Sequence, residues 1–266
     1  MNLLVVQNAV KKHIGDTLKH IKALIATRQH SPDIIVLPEM FTTPYETAQF
    51  NAYAQTTDGE VYRCLTQLAQ THRAYVIGGS VPERKGNRLY NTTYILNKEG
   101  KRIATYRKTH LFAITYPDGS TFDEADVLSA GETLGTFETE FGTMGVMICF
   151  DIRYPALAEK LADKGARVIF VPGAFNDFTG PLHWHTTFKA RAIDNQLYVI
   201  GCSAASSSYG NYSTYGHSLI VDPLGNVLSS LKGEEGIIEL SLDLSRIDHA
   251  RSVLPIRKNK KALPER

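Results

Sequence analysis

Three polar residues closely follow short apolar runs, and their types could together support acyl transfer. Glu39 comes after residues 34–37, Lys108 ends the run 101–107, and Cys149 comes after the apolar segment 145–148. A thiol with an ordinary pKa of about 8.5 needs a base or a neighbouring cation to act as a nucleophile at neutral pH. Glu39 could accept the thiol proton, while Lys108 could favour the thiolate and then an oxyanion. The set indicates chemistry through a thioester.

Each of these residues also has an ordinary structural interpretation. Cys149 could be a small buried hydrophobe at the end of a strand, and Glu39 could cap the following segment. A papain-like site would instead use His as the base, and of the nine His residues only His110 lies at a comparable strand end. The segment 145–155 favours a nucleophile. Its apolar first part predicts a buried strand and Pro155 a helix start, so the bend would present Cys149 to free backbone N–H groups.

Composition narrows the class of protein. The 266 residues are 43% hydrophobic, enough for a substantial core, and no linker or low-complexity run divides them, which predicts one domain. A net charge of +2 argues against nucleic acid, and the basic cluster 257–261 is interpreted as part of a solvated tail. Neither a signal peptide nor an apolar run of about 18 residues is evident. A cytoplasmic enzyme, without a membrane partner, is expected.

Apolar patterns predict strands alternating with helices, and hence a layered α/β architecture. Helices are predicted at 14–25, at 60–72, after Pro155 and near 181–195. A Pro-, Gly-, Asp- and Ser-rich stretch at 113–131 is interpreted as a long loop that shapes the site. The chain from 248 onward is expected to fray or to pack on another subunit. Strands are predicted at 3–8, 34–37, 75–79, 89–96, 101–107, 136–140, 142–148, 168–171, 198–203, 216–221, 227–231 and 236–242.

The remaining cysteines and histidines do not indicate a metal site. Three widely spaced cysteines argue against a disulfide framework or a zinc site. Cys64 falls on the apolar face of a helix and Cys202 within an apolar strand, so both are predicted to be core residues. His183 and His185 are two residues apart and cannot share a helical face as metal ligands would. Neither a metal nor a cofactor is predicted.

Three segments of this chain look like the signature blocks of the nitrilase superfamily, in the family order and spacing. They are LPEM (37–40), YRKTHLF (106–112) and CFDIRYP (149–155). The resemblance covers essentially the whole chain, and it is closest to the branch of ω-amidases and amidases of deaminated glutathione. Further matching segments are GGS (78–80), LYNT (89–92), PGAFN (172–176), TGPLHW (179–184), RAIDNQ (191–196) and YGHS (215–218).

The resemblance implies a four-layer α-β-β-α sandwich that pairs into an α-β-β-α-α-β-β-α homodimer, with the tail 248–266 at the interface. It implies that Glu39 is the general base, Lys108 the oxyanion stabiliser and Cys149 the nucleophile. It also places a second glutamate at Glu124. The backbone N–H of Phe150 would be a further oxyanion donor.

The resemblance to the ω-amidase branch also implies which residues contact the acid end of a substrate. These are Arg153, Phe175 and Thr179; alternatively, Arg153 forms a salt bridge with Asp151 or contacts a helix end. One departure is the pair Trp184-His185, where relatives usually have Trp followed by Glu. It is expected to change a neighbouring contact and not the chemistry.

The resemblance therefore predicts hydrolysis of the terminal amide of a small 2-oxo dicarboxylic acid monoamide, such as 2-oxoglutaramate or 2-oxosuccinamate, with release of ammonia. Alternatives are an amidase of deaminated glutathione, another short-chain aliphatic amidase, or a catalytically idle dimeric scaffold. Beyond the amide substrate, water and a second copy of the chain, no partner is predicted.

Overall fold

A computed structural model describes residues 1–210 and 212–261. Its strands before residue 130 are β1 (Asn2–Gln7), β2 (Ile34–Val36), β3 (Tyr75–Ile77), β4 (Val81–Lys85), β5 (Arg88–Leu96), β6 (Arg102–Arg107), β7 (Ala113–Thr115) and β8 (Thr121–Asp123). The later strands are β9 (Thr136–Thr139), β10 (Gly142–Val146), β11 (Val168–Gly173), β12 (Tyr198–Ser203), β13 (Ser208–Tyr209), β14 (Tyr212–Ser213), β15 (Leu219–Val221), β16 (Val227–Ser230) and β17 (Gly236–Ser241).

The helices agree with the apolar spacing of the sequence, since their buried residues recur every three or four positions. They are α1 (Ile14–Ala26), α2 (Thr47–Phe50), α3 (Glu60–His72), α4 (Pro155–Asp163), α5 (Gly180–Asn195) and α6 (Ser245–Val253). Two short 3-10 helices span Glu124–Asp126 and Cys149–Arg153. The four predicted helices are thus confirmed, and α2 and α6 are additions.

Two sheets form the centre of the molecule. The first has seven strands in the order β17-β1-β2-β3-β5-β4, with β6 paired to β5, and the second has six in the order β16-β15-β12-β11-β10-β9. Residues on one face of the first sheet, such as Leu3 and Val5, pack in one core with Val146 of the second. Residues on its other face, such as Leu4 and Val6, pack against α1 and α3.

The helices α4 and α5 cover the outer face of the second sheet, through residues such as Leu161 and Trp184. Because side chains alternate between the two faces of a strand, each sheet can serve the shared core and its own helix layer. The four-layer α-β-β-α sandwich predicted from the resemblance is confirmed.

Strand direction brings the candidate residues to one edge of the sandwich. Strands β2 and β3 are parallel, and two antiparallel steps through β5 make β6 run in the same direction. The segments that follow β2 and β6, which carry Glu39 and Lys108, therefore leave the first sheet at the same edge. Cys149 follows β10 of the second sheet, where β10, β11 and β12 are parallel.

Two segments differ from the sequence expectation. The predicted loop 113–131 contains the antiparallel hairpin β7–β8 and a 3-10 helix, because Ile114 and Phe122 pack on an aromatic cluster beside the site. Strand β4 was not predicted, since it alternates poorly, with Pro82, Glu83 and Lys85 among its residues. It forms by pairing along its whole length with β5.

The predicted tail begins inside α6, so its first residues are not frayed. Ala250 is fully buried in the chain's own fold, and further on Arg257 and Lys260 pair with Asp163 of the same chain. Residues 262–266 of the predicted tail lie outside the described residues. Its role at a dimer interface stays a prediction.

Gly79 lies in very close contact with the backbone of Pro38, the residue before Glu39. Its φ is +54°, and a Cβ at this position would lie 2.2 Å from Pro38 O. Gly79→Ala therefore adds a backbone clash to the strain of a left-handed residue, which by itself costs about 1–2 kcal/mol. We expect a marked fall in the free energy of unfolding, measured by denaturant titration.

Gly86→Ala is the matched control for Gly79→Ala. Gly86 has a similar φ of +59°, but a Cβ there would meet no atom within 4 Å. The control should show the conformational strain alone. Equal destabilisation of the two variants would contradict a role for the close approach at Gly79.

Candidate active site

One lysine and two glutamates form a fully buried charge cluster at the convergent strand ends. Lys108 Nζ lies 2.8 Å from Glu39 Oε1 and 2.8 Å from Glu124 Oε2, and all three side chains have 0% exposure. Glu39 follows β2, Lys108 follows β6 and Glu124 begins a 3-10 helix. The structure thus brings together three residues that are far apart in the sequence.

Three neutral donors contact the two carboxylates, and Glu39 Oε2 has no hydrogen-bond partner among the described residues. Tyr45 Oη lies 2.8 Å from Glu124 Oε1 and 3.2 Å from Glu39 Oε1. Asn91 Nδ2 donates to Glu39 Oε1 at 2.8 Å, and the Phe112 N–H donates to Glu124 Oε2 at 2.7 Å. Buried charges are tolerated only when they are paired and hydrogen-bonded. Together with Lys108, these donors meet that need for three of the four carboxylate oxygens.

Tyr45 was not predicted from the sequence, although its hydroxyl contacts both Glu39 and Glu124. Asn91 was noted only as part of a matching segment. A polar residue six positions after Glu39 carried no signal by itself, because the contact depends on the turn between them. The spacing of polar residues within β5 gave no indication that Asn91 faces the cluster.

Cys149 lies at the bend between the second sheet and the helix layer, as predicted. It is 4% exposed and begins a 3-10 helix with a φ of +47°, a left-handed conformation that is rare for a residue with a side chain. Such strain is often retained at functional sites. The backbone of Ala174 lies close enough to the sulfur to favour the thiolate. Phe150 follows at a position where a backbone N–H has no acceptor within the helix.

Glu39 and Cys149 interact, and burial shifts both groups in the same direction. Burial raises the pKa of Glu39 above 4.5, and Lys108 offsets only part of this rise. Burial and the charge of Glu39 raise the pKa of the Cys149 thiol well above 9.0, against the opposing effects of Lys108 and Ala174. The resting pair is therefore a thiol beside a carboxylate whose basicity is increased.

Lys108 keeps its proton in this site. Burial alone would lower the pKa of Lys108, but the charges of Glu124 and Glu39 outweigh it and raise the pKa above 10.5. The cluster of one ammonium and two carboxylates carries a net charge of −1. If Glu39 takes the thiol proton while an oxyanion forms near Lys108, that net charge stays constant and only moves within the cluster. Such a transfer needs little reorganisation in a buried site.

A small pocket leads to Cys149. It is narrow and partly open to solvent. The three residues predicted to read an acid end, Arg153, Phe175 and Thr179, all line it. Its other lining residues are Phe112, Cys149, Phe150, Asn176 and Tyr212.

Arg153 has no carboxylate partner among the described residues, so the predicted alternative of a salt bridge to Asp151 is wrong. Its Nη1 donates to His183 Nδ1 at 2.9 Å, and its guanidinium carbon lies 4.7 Å from the centre of the Phe175 ring. Burial lowers the pKa of Arg153 below its usual value. A partly buried guanidinium without a counter-ion is a suitable receptor for an anionic group.

The other two predicted contact residues form the walls of the pocket. Thr179 Oγ1 donates to Asn176 Oδ1 at 2.7 Å, so only its lone pairs are available to a ligand. Phe175 packs edge-on against Trp184, with ring centres 4.9 Å apart. The unusual His185 lies outside the pocket lining, and its ring centre is 6.2 Å from that of His217.

The other features of the described chain do not suggest a different site. A larger open cleft lies along β4, β5 and β6, but its exposed lining residues such as Arg84, Arg88 and Arg102 surround no nucleophile. Within residues 1–210 and 212–261, no group of three His, Cys, Asp or Glu residues could hold a metal ion. Over the same ranges, no helix combines the length and the apolar character needed to cross a bilayer.

Comparison with known proteins gives consistent matches. The family described as carbon-nitrogen hydrolase matches residues 3–252. The chain is 38% identical over 260 residues to omega-amidase NIT2 of Danio rerio, covering 97% of this chain and 94% of that protein. It is 40% identical over 241 residues to omega-amidase NIT3 of Saccharomyces cerevisiae, covering 88% and 83%. The crystal structure of Saccharomyces cerevisiae Nit3, described as a member of branch 10 of the nitrilase superfamily, matches at 35% identity with a TM-score of 0.88, covering 97% and 96%.

The raised pKa of Glu39 predicts that its charged form destabilises the folded protein at neutral pH. A raised pKa means that the folded state favours the protonated carboxyl of Glu39. The protonated carboxyl therefore stabilises the folded state below pH 4.5, and this stabilisation is lost as the pH rises through the folded-state pKa. Glu39→Gln removes the charge but keeps the oxygen that accepts from Asn91 and Lys108. We expect a higher thermal midpoint at neutral pH, with the difference shrinking as the pH falls towards 4.5.

Glu83→Gln is the control with the opposite sign. Burial alone would raise the pKa of Glu83, but Arg107 and Thr92 donate to its carboxylate and hold the pKa below 4.5. Its contribution is present at neutral pH and is lost in acid, so this variant should have a lower thermal midpoint at neutral pH. A lower midpoint for Glu39→Gln as well would contradict the assignment of a destabilising charge at Glu39.

Proposed function

The chain belongs to the carbon-nitrogen hydrolase family and is a hydrolase that acts on amides, and from this premise we propose that it is an ω-amidase. Its substrate would be the monoamide of a short 2-oxo dicarboxylic acid, such as 2-oxoglutaramate or 2-oxosuccinamate. The observation that carries the proposal is the placement of Cys149 and Arg153 in one small pocket. A nucleophile there could attack the amide while the guanidinium pairs with the carboxylate at the other end.

The first chemical stage is acylation of the enzyme. The Cys149 sulfur attacks the amide carbon as the thiol proton passes to Glu39, and the carbonyl π bond breaks to leave an oxyanion. Lys108 and the Phe150 N–H stabilise that oxyanion. Glu39 then gives its proton to the amide nitrogen, the C–N bond breaks, and ammonia leaves a thioester on Cys149.

The second stage is hydrolysis of the thioester. Glu39 takes a proton from water as the water oxygen attacks the acyl carbon, and Lys108 again faces the oxyanion. The C–S bond breaks, the thiol regains its proton, and the dicarboxylic acid is released. Glu124 pairs with Lys108 at 2.8 Å and acts as a positioning residue. The cycle uses side chains of this chain, the backbone N–H of Phe150 and water.

The organisation of the whole protein belongs to the same proposal. We take the chain to be a single-domain, cytoplasmic enzyme that works as a homodimer. Large apolar side chains exposed on α5 and around the end of α6, Leu182, Val253 and Leu254, support pairing with a second copy. Gel filtration with light scattering would test the dimer.

Removal of the nucleophile tests the chemical part of the proposal. We expect Cys149→Ala to abolish ammonia release from 2-oxoglutaramate while circular dichroism and the thermal midpoint show a folded protein. Cys64→Ala is the matched control, because Cys64 is also a buried free cysteine but lies on the buried face of α3. That variant should retain activity. Full activity in Cys149→Ala would refute the thioester mechanism, and a thioester trapped by acid quenching and seen by mass spectrometry would support it.

Arg153 tests the substrate part of the proposal. Arg153→Met should lower kcat/KM for 2-oxoglutaramate about 10- to 100-fold, the range expected for losing a charge-assisted hydrogen-bonded pair. The same variant should change kcat/KM little for pentanamide, a neutral amide of equal length. Arg153→Lys should fall between, since it keeps the charge but not the fork of donors.

Deaminated glutathione serves as the competing substrate in the same assays. A higher kcat/KM for deaminated glutathione than for 2-oxoglutaramate in the wild-type enzyme would overturn the substrate assignment. Equal losses for the acid and the neutral amide in Arg153→Met would remove Arg153 from substrate recognition.

A further inference from the structure

Asp151 is a fully buried carboxylate that the proposed chemical steps do not use. It accepts four hydrogen bonds. Its Oδ1 accepts from the backbone N–H of His110 at 2.9 Å and from His110 Nδ1 at 2.8 Å. Its Oδ2 accepts from Tyr106 Oη at 2.7 Å and from the Ile148 N–H at 3.0 Å. Both oxygens are thus saturated with donors.

The donors come from the two segments that carry the reacting groups. Tyr106 and His110 lie two residues before and two residues after Lys108. Ile148 lies one residue before Cys149, and Asp151 itself lies two residues after it. One carboxylate therefore joins the end of β6 in the first sheet to the bend after β10 in the second.

We propose that Asp151 is a positioning residue that sets the distance and direction between the Lys108 ammonium and the Cys149 sulfur. This inference deepens the proposed function and rests on its thiol mechanism. The oxyanion is the former carbonyl oxygen of the carbon that becomes bonded to that sulfur. The Lys108 ammonium, which lies at a different strand end, must therefore be held at a fixed distance from the sulfur to stabilise it. Misplacement of about 1 Å in such an arrangement can lower a rate about 100-fold.

Asparagine at this position cannot reproduce the four contacts. Its amide has one acceptor oxygen, so its NH₂ group must face either the Ile148 N–H or the His110 N–H. The first orientation releases the backbone at Cys149, and the second releases the backbone after Lys108. Either way the link between the two segments is cut, although the shape of the side chain is kept.

Asp222 provides a matched control for a purely structural role. It too is a fully buried carboxylate, and it accepts from Leu224 N and Asn226 N and pairs with Arg246. It lies in the turn between β15 and β16 and shares no hydrogen bond with Lys108 or Cys149 in the part of the chain that the structure describes. Asp222→Asn removes a buried carboxylate of the same kind without touching the site.

The experiment compares Asp151→Asn with Asp222→Asn and with the wild-type enzyme, using the amide that the wild type hydrolyses fastest. We expect Asp151→Asn to lower kcat about 100-fold with KM changed less than about threefold, because the link acts on the transition state. Asp222→Asn should lower the thermal midpoint but leave kcat within about twofold, as expected for a change remote from the chemistry. A kcat for Asp151→Asn within threefold of wild type would overturn the proposal.

Tyr106→Phe keeps the proposal testable if Asp151→Asn does not fold. It removes one of the two donors on Asp151 Oδ2 and leaves both backbone donors in place. We expect kcat to fall about three- to tenfold, the range for losing one hydrogen bond, with KM unchanged. An unchanged kcat in folded Tyr106→Phe, when Asp151→Asn is unfolded, would count against positioning through this carboxylate.

Alkylation separates this inference from the proposed function. Iodoacetamide is neutral, and its reaction with Cys149, followed by mass spectrometry, does not depend on the amide substrate. Asp151→Asn should react at least about tenfold more slowly than Asp222→Asn, because the thiol is no longer held against Glu39. If the wild type fails to hydrolyse 2-oxo acid amides but this difference remains, the substrate proposal fails alone. If the alkylation rates of the two variants are equal, the positioning role fails whatever the substrate.

Discussion

The candidate site depends on one interaction, the buried contact of the Lys108 ammonium with two carboxylates. An ammonium without a counter-ion could not remain charged at this depth, and two carboxylates without it could not both remain ionised. Lys108 pairs with Glu39 and Glu124. Further hydrogen bonds to these carboxylates come from Tyr45, Asn91 and the Phe112 N–H. The cluster carries one excess negative charge. It keeps Glu39 basic and the Cys149 thiol protonated until an electrophile arrives.

Much of the architecture could be predicted from the sequence because its strands and helices have clear periodicity. The buried residues of α1 and α3 recur at helical spacing, and the strands that precede Glu39 and Cys149 are continuous apolar runs. Hairpin β7–β8 was missed because Pro, Gly and Asp dominate its local composition, and its stability comes from aromatic contacts made by distant residues. Strand β4 was missed for a related reason, since only pairing with β5 makes its polar residues extended.

The candidate site was predictable where a residue type stands out at a strand end. Glu39, Lys108 and Cys149 could be selected from residue chemistry, whereas the choice of Glu124 among four loop acids depended on the family resemblance. Its burial follows from the Phe112 N–H and Lys108, which no local pattern reveals. Tyr45 escaped detection for the same reason. Asp151 was considered only as a partner for Arg153, whereas it accepts hydrogen bonds from both reacting segments.

In the proposed mechanism, the base Glu39 and the Lys108 ammonium are attached to one sheet, and the Cys149 sulfur to the other. Neither sheet contains a working site by itself, although each can form its own hydrogen-bond ladder. The rate of the proposed reaction therefore depends on how the two sheets pack against each other, and not on how much secondary structure is present. A compact intermediate with both sheets formed but loosely stacked would look nearly native by far-ultraviolet circular dichroism and yet be inert. For this chain, activity should therefore appear during refolding only when the two sheets pack tightly against each other.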